Sequence, residues 1–149
     1  MIRWFSHTVG EEEVLALTTA RLDSGVSPDT LWDDTDFEQY RITWLQSASV
    51  RRFESVVTLL LQRGANVSLT NGWGWTPLHF AASGGSEPII WKLLQAGADI
   101  DATCGISYSY TAMDLAQLYR KDDPPYYDLA IQRLQYVYNL RNWRVAAGG

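Results

Sequence analysis

Few side chains in this chain are suited to chemistry, and they fall in a handful of places. His79 stands in Thr76-Pro77-Leu78-His79-Phe80-Ala81-Ala82, where an imidazole taken alone has the form of a general base. Cys104 is the single cysteine. It lies beside Gly105 with no histidine near it in sequence, so it reads either as a nucleophile or as an inert free thiol. Asp33, Asp34, Asp36 and Glu38 crowd one short stretch. They invite comparison with a calcium loop, but the central glycine and the distal bidentate glutamate are missing, and a solvated acidic loop is the simpler reading. No phosphate-binding loop, zinc-ligand spacing or Gly-x-Ser-x-Gly elbow occurs. His7 falls in no recognisable motif and reads as a surface or cap residue. The unusual chemistry is aromatic: the 149 residues hold seven Trp and eight Tyr. Rings of this kind carry binding energy at interfaces.

The elements that hold these residues are helices. Thr76 is placed to cap a helix, with Pro77 in its first turn, where a missing N–H costs nothing. Ala81 and Ala82 are small enough for two helices to approach closely, and Gly84-Gly85 reverses the chain. Ile89, Ile90, Leu93 and Leu94 share one helical face. Gly97 is suited to the positive φ that ends a helix. This unit repeats. Gly64-Ala65-Asn66-Val67 precedes Gly97-Ala98-Asp99-Ile100 by 33 residues, and Thr43 precedes Thr76 by the same interval. Thr111-Ala112-Met113-Asp114-Leu115-Ala116 follows Thr76 by 35, and Gly25 precedes Gly64 by 39. The loops before the first and last of these units are therefore lengthened.

The run Thr76-Pro77-Leu78-His79-x-Ala81-Ala82 with Gly97-Ala98-Asp99, at this period, resembles the ankyrin-repeat family. The match is strong over about 43–116 and weak outside it. It implies an all-α ankyrin-repeat solenoid of stacked helix-turn-helix repeats with long finger loops. The expected divisions are a degenerate amino-terminal cap over 1–29, repeats over 30–67, 68–100 and 101–142, and a frayed tail over 143–149. Glu11-Glu12-Glu13 suit the positive end of a helix, and Met1–Thr8 are expected to form another. Pro124-Pro125 interrupt helix. A last helix is expected over about Tyr127–Asn142, with Leu129, Leu134, Val137, Tyr138 and Leu140 as its apolar members.

The resemblance also implies roles. His79 is structural rather than catalytic, and Asp114 takes the same slot in the last repeat. Family partners meet the finger tips and the exposed side of each repeat's first helix. That register points Thr70, Gly72, Trp73 and Trp75 outward on one finger, with Ser83 and Gly84 on the helix side. Tyr108 and Tyr110 take the corresponding place on the next finger, and Trp32, Phe37 and Tyr40 belong to the first. The rings are read as binding residues, with stiffening of the fingers as the competing role.

Net charge of −5 argues against nucleic acid or an anionic membrane as partner. A single cysteine excludes an internal disulfide framework and fits an intracellular, cytoplasmic setting. The leading expectation is an interaction module for a protein or peptide, with no catalytic residue, cofactor or metal. The alternative is a small-molecule site or enzyme that uses a Trp- and Tyr-lined groove for an apolar or aromatic metabolite. Homo-oligomerisation through the rings is a further possibility.

Overall fold

Three threonines start three helices by one device. In a computed structural model describing residues 9–31, 41–121 and 123–148, Thr43, Thr76 and Thr111 each accept from the backbone N–H three residues on. Each threonine N–H is bonded in return by the side chain at that third position: Gln46, His79 or Asp114. Two orphan donors are thereby satisfied at each helix start.

Seven helices occur among the described residues: α1 (Glu11–Asp23), α2 (Trp44–Val50), α3 (Glu54–Gln62), α4 (Pro77–Gly84), α5 (Glu87–Gln95), α6 (Ala112–Tyr119) and α7 (Pro124–Gly148). Helices α2, α4 and α6 stack in one column, and α1, α3, α5 and α7 in a second. The hairpins α2–α3, α4–α5 and α6–α7 join the columns. This is the all-α solenoid that the resemblance implies. Met1–Thr8 lie outside the described residues.

The core runs between the columns. Leu45 and Ala48 of α2, Val56, Val57 and Leu60 of α3, and Leu78, Ala81 and Ala82 of α4 are all buried. Small residues let the first column close up. A Cβ added at Gly84 would lie 2.9 Å from the carbonyl oxygen of Val50, so α4 meets α2 nearly at backbone contact. Gly84 therefore belongs to the packing, not to the outward surface expected of it. On α5, Ile89, Ile90 and Leu93 are buried, while Leu94 is only half-buried against the core.

The hairpin turns show one substitution of chemistry. After α4 the chain turns through Gly85, at φ 69°. The equivalent residue 33 positions earlier is Arg52, at φ 64°. A side chain in that left-handed region is disfavoured. Arg52 has compensating contacts: its Nε donates to the Gly84 carbonyl at 2.5 Å, and its guanidinium lies 4.1 Å from the ring centre of Tyr126.

Helix α7 departs most from expectation. It begins at Pro124, because two prolines fit a first turn that lacks internal N–H bonds. It continues to Gly148, through the stretch expected to fray. Its buried residues are Tyr127, Ala130 and Leu134. Leu129, Tyr138 and Leu140, expected to pack, are exposed, and Val137 is half-buried. The face is set by α5 and α6, which it packs against.

Candidate functional site

The finger between α3 and α4 is held by Asn71. Its side-chain oxygen accepts from the N–H groups of Trp73 and Trp75, at 3.1 and 3.0 Å. Its own N–H donates to the Trp75 carbonyl, and Gly74 N–H returns to the Asn71 carbonyl. Asn71 is buried, so this arrangement is shielded from water. Asn71 was not among the expected site residues, though Asn71-Gly72 is a turn signal of the kind that marks such a role.

The finger between α5 and α6 is closed differently. Cys104 and Tyr110 exchange two backbone hydrogen bonds of 2.9 Å each, which makes an isolated antiparallel bridge. Gly105 turns the tip at φ 109°, and a Cβ there would strike the Tyr108 carbonyl at 2.3 Å. Gly105 N–H also donates to the Trp73 carbonyl at 2.9 Å, tying the two fingers together.

Two side chains join these fingers to the helices. Thr76 N–H donates to His79 Nδ1 at 3.1 Å, so Nδ1 is the acceptor and Nε2 carries the proton. Nε2–H then donates to the carbonyls of Ala102, at 2.9 Å, and Tyr110, at 3.2 Å, on the two legs of the following finger. Gln46 does the same one repeat earlier: Oε1 accepts from Thr43 N–H, and Nε2 donates to Leu69 and Trp75. The imidazole and the amide each combine one acceptor with one donor side, and each spans a cap and a finger. Asp114 has only acceptors, so it caps without bridging.

These contacts take His79 out of consideration as a base. Burial lowers its pKa, against the opposing effect of its bonds to Ala102 and Tyr110, and its lone pair is directed at Thr76. Burial likewise pushes the Cys104 thiol up to about 11, with the charge of Asp114 adding to the shift. A protonated, buried thiol is a poor nucleophile. Among the described residues no cluster of three or more His, Cys, Asp or Glu is placed to hold a metal ion.

The rings divide into two tiers. Trp75 is half-buried against the core, 5.2 Å from the Phe80 ring, and Tyr110 is also half-buried there. Trp73, two residues before Trp75, is half-buried as well. Tyr108 is 71% exposed, with its ring 6.1 Å from that of Tyr110. Beside it Ile106 is 81% exposed, a residue that sequence reasoning passed over. Thr70 is exposed on the second finger. Ser83 lies apart, at the carboxy-terminal end of α4, where its carbonyl accepts from the Tyr127 hydroxyl at 2.6 Å. Trp32, Phe37 and Tyr40, and the acidic residues 33–38, lie outside the described residues. The base of their finger is closed by a bridge between Leu31 and Thr43.

A cavity of about 330 Å³ opens behind the third finger, lined by Ile100, Asp101, Thr111, Met113, Leu134 and Tyr138 among others. None of the finger rings Trp73, Trp75, Tyr108 and Tyr110 lines it. No helix among the described residues is long and apolar enough to cross a membrane.

Comparison with known proteins agrees with this architecture. The profile of a family described as ankyrin repeats, in three copies, matches residues 24–123. RelA-associated inhibitor of Mus musculus is 40% identical over 80 residues, which is 54% of this chain and 10% of that protein. Protein phosphatase 1 regulatory subunit 27 of Homo sapiens is 47% identical over 47 residues, 32% of this chain and 30% of that one. Ankyrin repeat and KH domain-containing protein 1 of Homo sapiens is 45% identical over 79 residues, 53% of this chain and 3% of that one. The chain thus spans less than a third of the length of these curated relatives.

Proposed function

Since this chain belongs to the ankyrin-repeat family, we propose that it is an interaction module that recognises a protein or peptide through its finger loops and the adjoining helix face. The observation that carries the reading is the third finger tip. A bridge at its base, a tight glycine turn and a bond to the second finger hold Ile106 and Tyr108 outward on ordered backbone. An exposed apolar pair on a rigid support loses little entropy on binding. Tyr110, Trp73 and Trp75 form the tier behind it, so the stiffening and binding roles are divided between rings rather than being alternatives. Thr70, exposed on the second finger, is a further candidate of this surface. Ser83 belongs to the helix side of this surface in the family register, at a distance from the rings.

Two relatives are named as an inhibitor and as a regulatory subunit, roles exercised on other proteins. This favours a protein partner here. The small-molecule alternative is served by the cavity behind the third finger, which has a ring, Tyr138, and two carboxylates, Asp101 and Asp114, on its wall.

The test is photo-crosslinking in cells, with a benzophenone amino acid placed at 106, 108 or, as control, 62 on the exposed end of α3. Adducts with the same protein from 106 and 108, and none from 62, are expected. The double variant Ile106→Ala/Tyr108→Ala should then recover that protein at least thirtyfold less well, roughly 2 kcal/mol, with an unchanged melting curve. Equal recovery by the folded double variant would refute the finger-tip site.

A further inference from the structure

The cavity behind the third finger lies where both legs of that finger meet the helices. Ile100 and Asp101 lead into the finger, and Thr111, Met113 and Asp114 follow it as the cap and first turn of α6. Helix α7 closes the other side with Leu134 and Tyr138. Leu134, Tyr138 and Arg141 follow one another at helical spacing, so an apolar floor, a ring and a guanidinium stand in one row. The floor is Leu134, fully buried, with Ile100 and Met113 half-buried against the core. The polar wall is unevenly paired. Asp114 Oδ2 accepts from the N–H and the hydroxyl of Thr111, at 2.8 Å each, while its Oδ1 accepts from no donor among the described residues. Asp101 pairs with Arg141, whose guanidinium lies 5.2 Å from the ring centre of Tyr138. Two carboxylates thus share one cation.

We propose that this cavity binds a small organic cation, a guanidinium or primary ammonium on a short apolar stem, and that Arg141 is the displaceable resident of its cation position. Charge is the first support: Asp101 and Asp114 leave one negative charge over after Arg141 is counted. The second is the resident itself. A guanidinium held between a carboxylate and an aromatic ring is the arrangement that selects such cations, and here the chain supplies its own. The third is that the resident can leave. The Arg141 side chain is 42% exposed, and a pair as open as this one is held weakly. The fourth is shape. About 330 Å³ is at the small end of small-molecule sites, and Ile100, Met113 and Leu134 give an apolar stem somewhere to lie. The inference rests on the small-molecule reading of this cavity and not on the finger tip, whose residues 106 and 108 do not line it.

The test is nitrogen–proton NMR of the whole chain, titrated with n-hexylguanidinium and with n-hexylurea, its neutral counterpart of the same shape. Saturable shifts are expected in the amides of Asp101, Met113 and Asp114, with a Kd of about 1 mM or tighter, as befits so small a ligand. Hexylurea should bind at least about fivefold more weakly, the scale of a charge pair combined with a cation–π contact. Arg141→Gln removes the competitor and should tighten hexylguanidinium binding about threefold or more. Arg144→Gln changes the net charge equally, one turn further on, and should leave it unchanged. Asp101→Asn should weaken binding in the Arg141→Gln background. All three positions are exposed, so the melting curves should match the parent. Acetyl-arginine amide, which carries the same head on a polar body, should bind less tightly than hexylguanidinium. No saturation by about 10 mM, an order above the expected Kd, would overturn the proposal. So would equal affinity for the urea, or tightening by Arg141→Gln no greater than by Arg144→Gln. Tighter binding of acetyl-arginine amide would transfer the site to a peptide's arginine and overturn the small-molecule assignment. None of these failures touches the crosslinking expected from 106 and 108.

Discussion

Gln46 and His79 hold the same place in successive repeats and make the same three-way connection with different functional groups. The equivalence makes a specific prediction. His79→Gln keeps an acceptor for Thr76 N–H and a donor for Ala102 and Tyr110, and it should cost less than about 1 kcal/mol. His79→Ala leaves those groups buried and unpaired and should cost about 2–4 kcal/mol in urea denaturation. The pH dependence follows from the lowered pKa of His79. Below about 6.5 the unfolded chain takes up a proton that the folded imidazole resists. This contribution to stability is therefore complete above that pH and declines as pH falls through it. Melting temperatures from pH 7.5 to 5 should fall further for the parent than for His79→Gln; parallel curves would mean that His79 titrates normally when folded. At the α2–α3 turn, Arg52→Gly relieves a strained φ that Arg52→Ala retains, while both lose the bond to Gly84 and the stack on Tyr126. The alanine variant should be the less stable by about 1 kcal/mol.

At the scale of the element, α5 shows how burial is divided within one apolar run. Leu93 and Leu94 are adjacent leucines on a helix, about 100° apart around its axis. Leu93 is fully buried between the columns, and Leu94 only half. Leu93→Ala should destabilise by about 2–5 kcal/mol and leave a cavity, and Leu94→Ala by less than half as much. Equal losses in the two variants would show that α5 is rotated from its assigned face. The third finger follows different rules. Its shape is set by backbone hydrogen bonds and one left-handed glycine, which leaves its apolar side chains free to face outward.

For the molecule as a whole, helix packing joins neighbouring pairs, with the stack of Arg52 on Tyr126 reaching one pair further, so stability is approximately a sum of repeat and interface contributions. The α6–α7 pair packs on α4 and α5, and Tyr126 of α7 also lies under Arg52. Leu134 is fully buried at this end, beside the buried Leu115 of α6, and the Tyr127–Ser83 bond is a second attachment. Leu134→Ala should loosen this end selectively. Hydrogen exchange is expected to accelerate in the amides of α6 and α7 well before those of α2–α5. Uniform acceleration would mean that the solenoid opens only as one unit.

The sequence by itself determined the repeat, its register and the three capping threonines. Each of these is a local or periodic signal: a cap acts over three residues, and a 33-residue period records what every stacked unit must repeat. Pro77 and Pro124-Pro125 were likewise legible as constraints, though their place at the start of α7, rather than ahead of it, needed the helix itself. The tertiary structure decided what depends on neighbours distant in sequence. Trp75 and Tyr110 turn out to be half-buried because Phe80 and the core come up against them, whereas Ile106, with no periodicity to mark it, is left at the tip. Helix α7 contains apolar residues on two faces, and its own pattern does not choose between them. Only α5 and α6 do, by covering Ala130 and Leu134 and leaving Leu129 and Trp143 to the solvent.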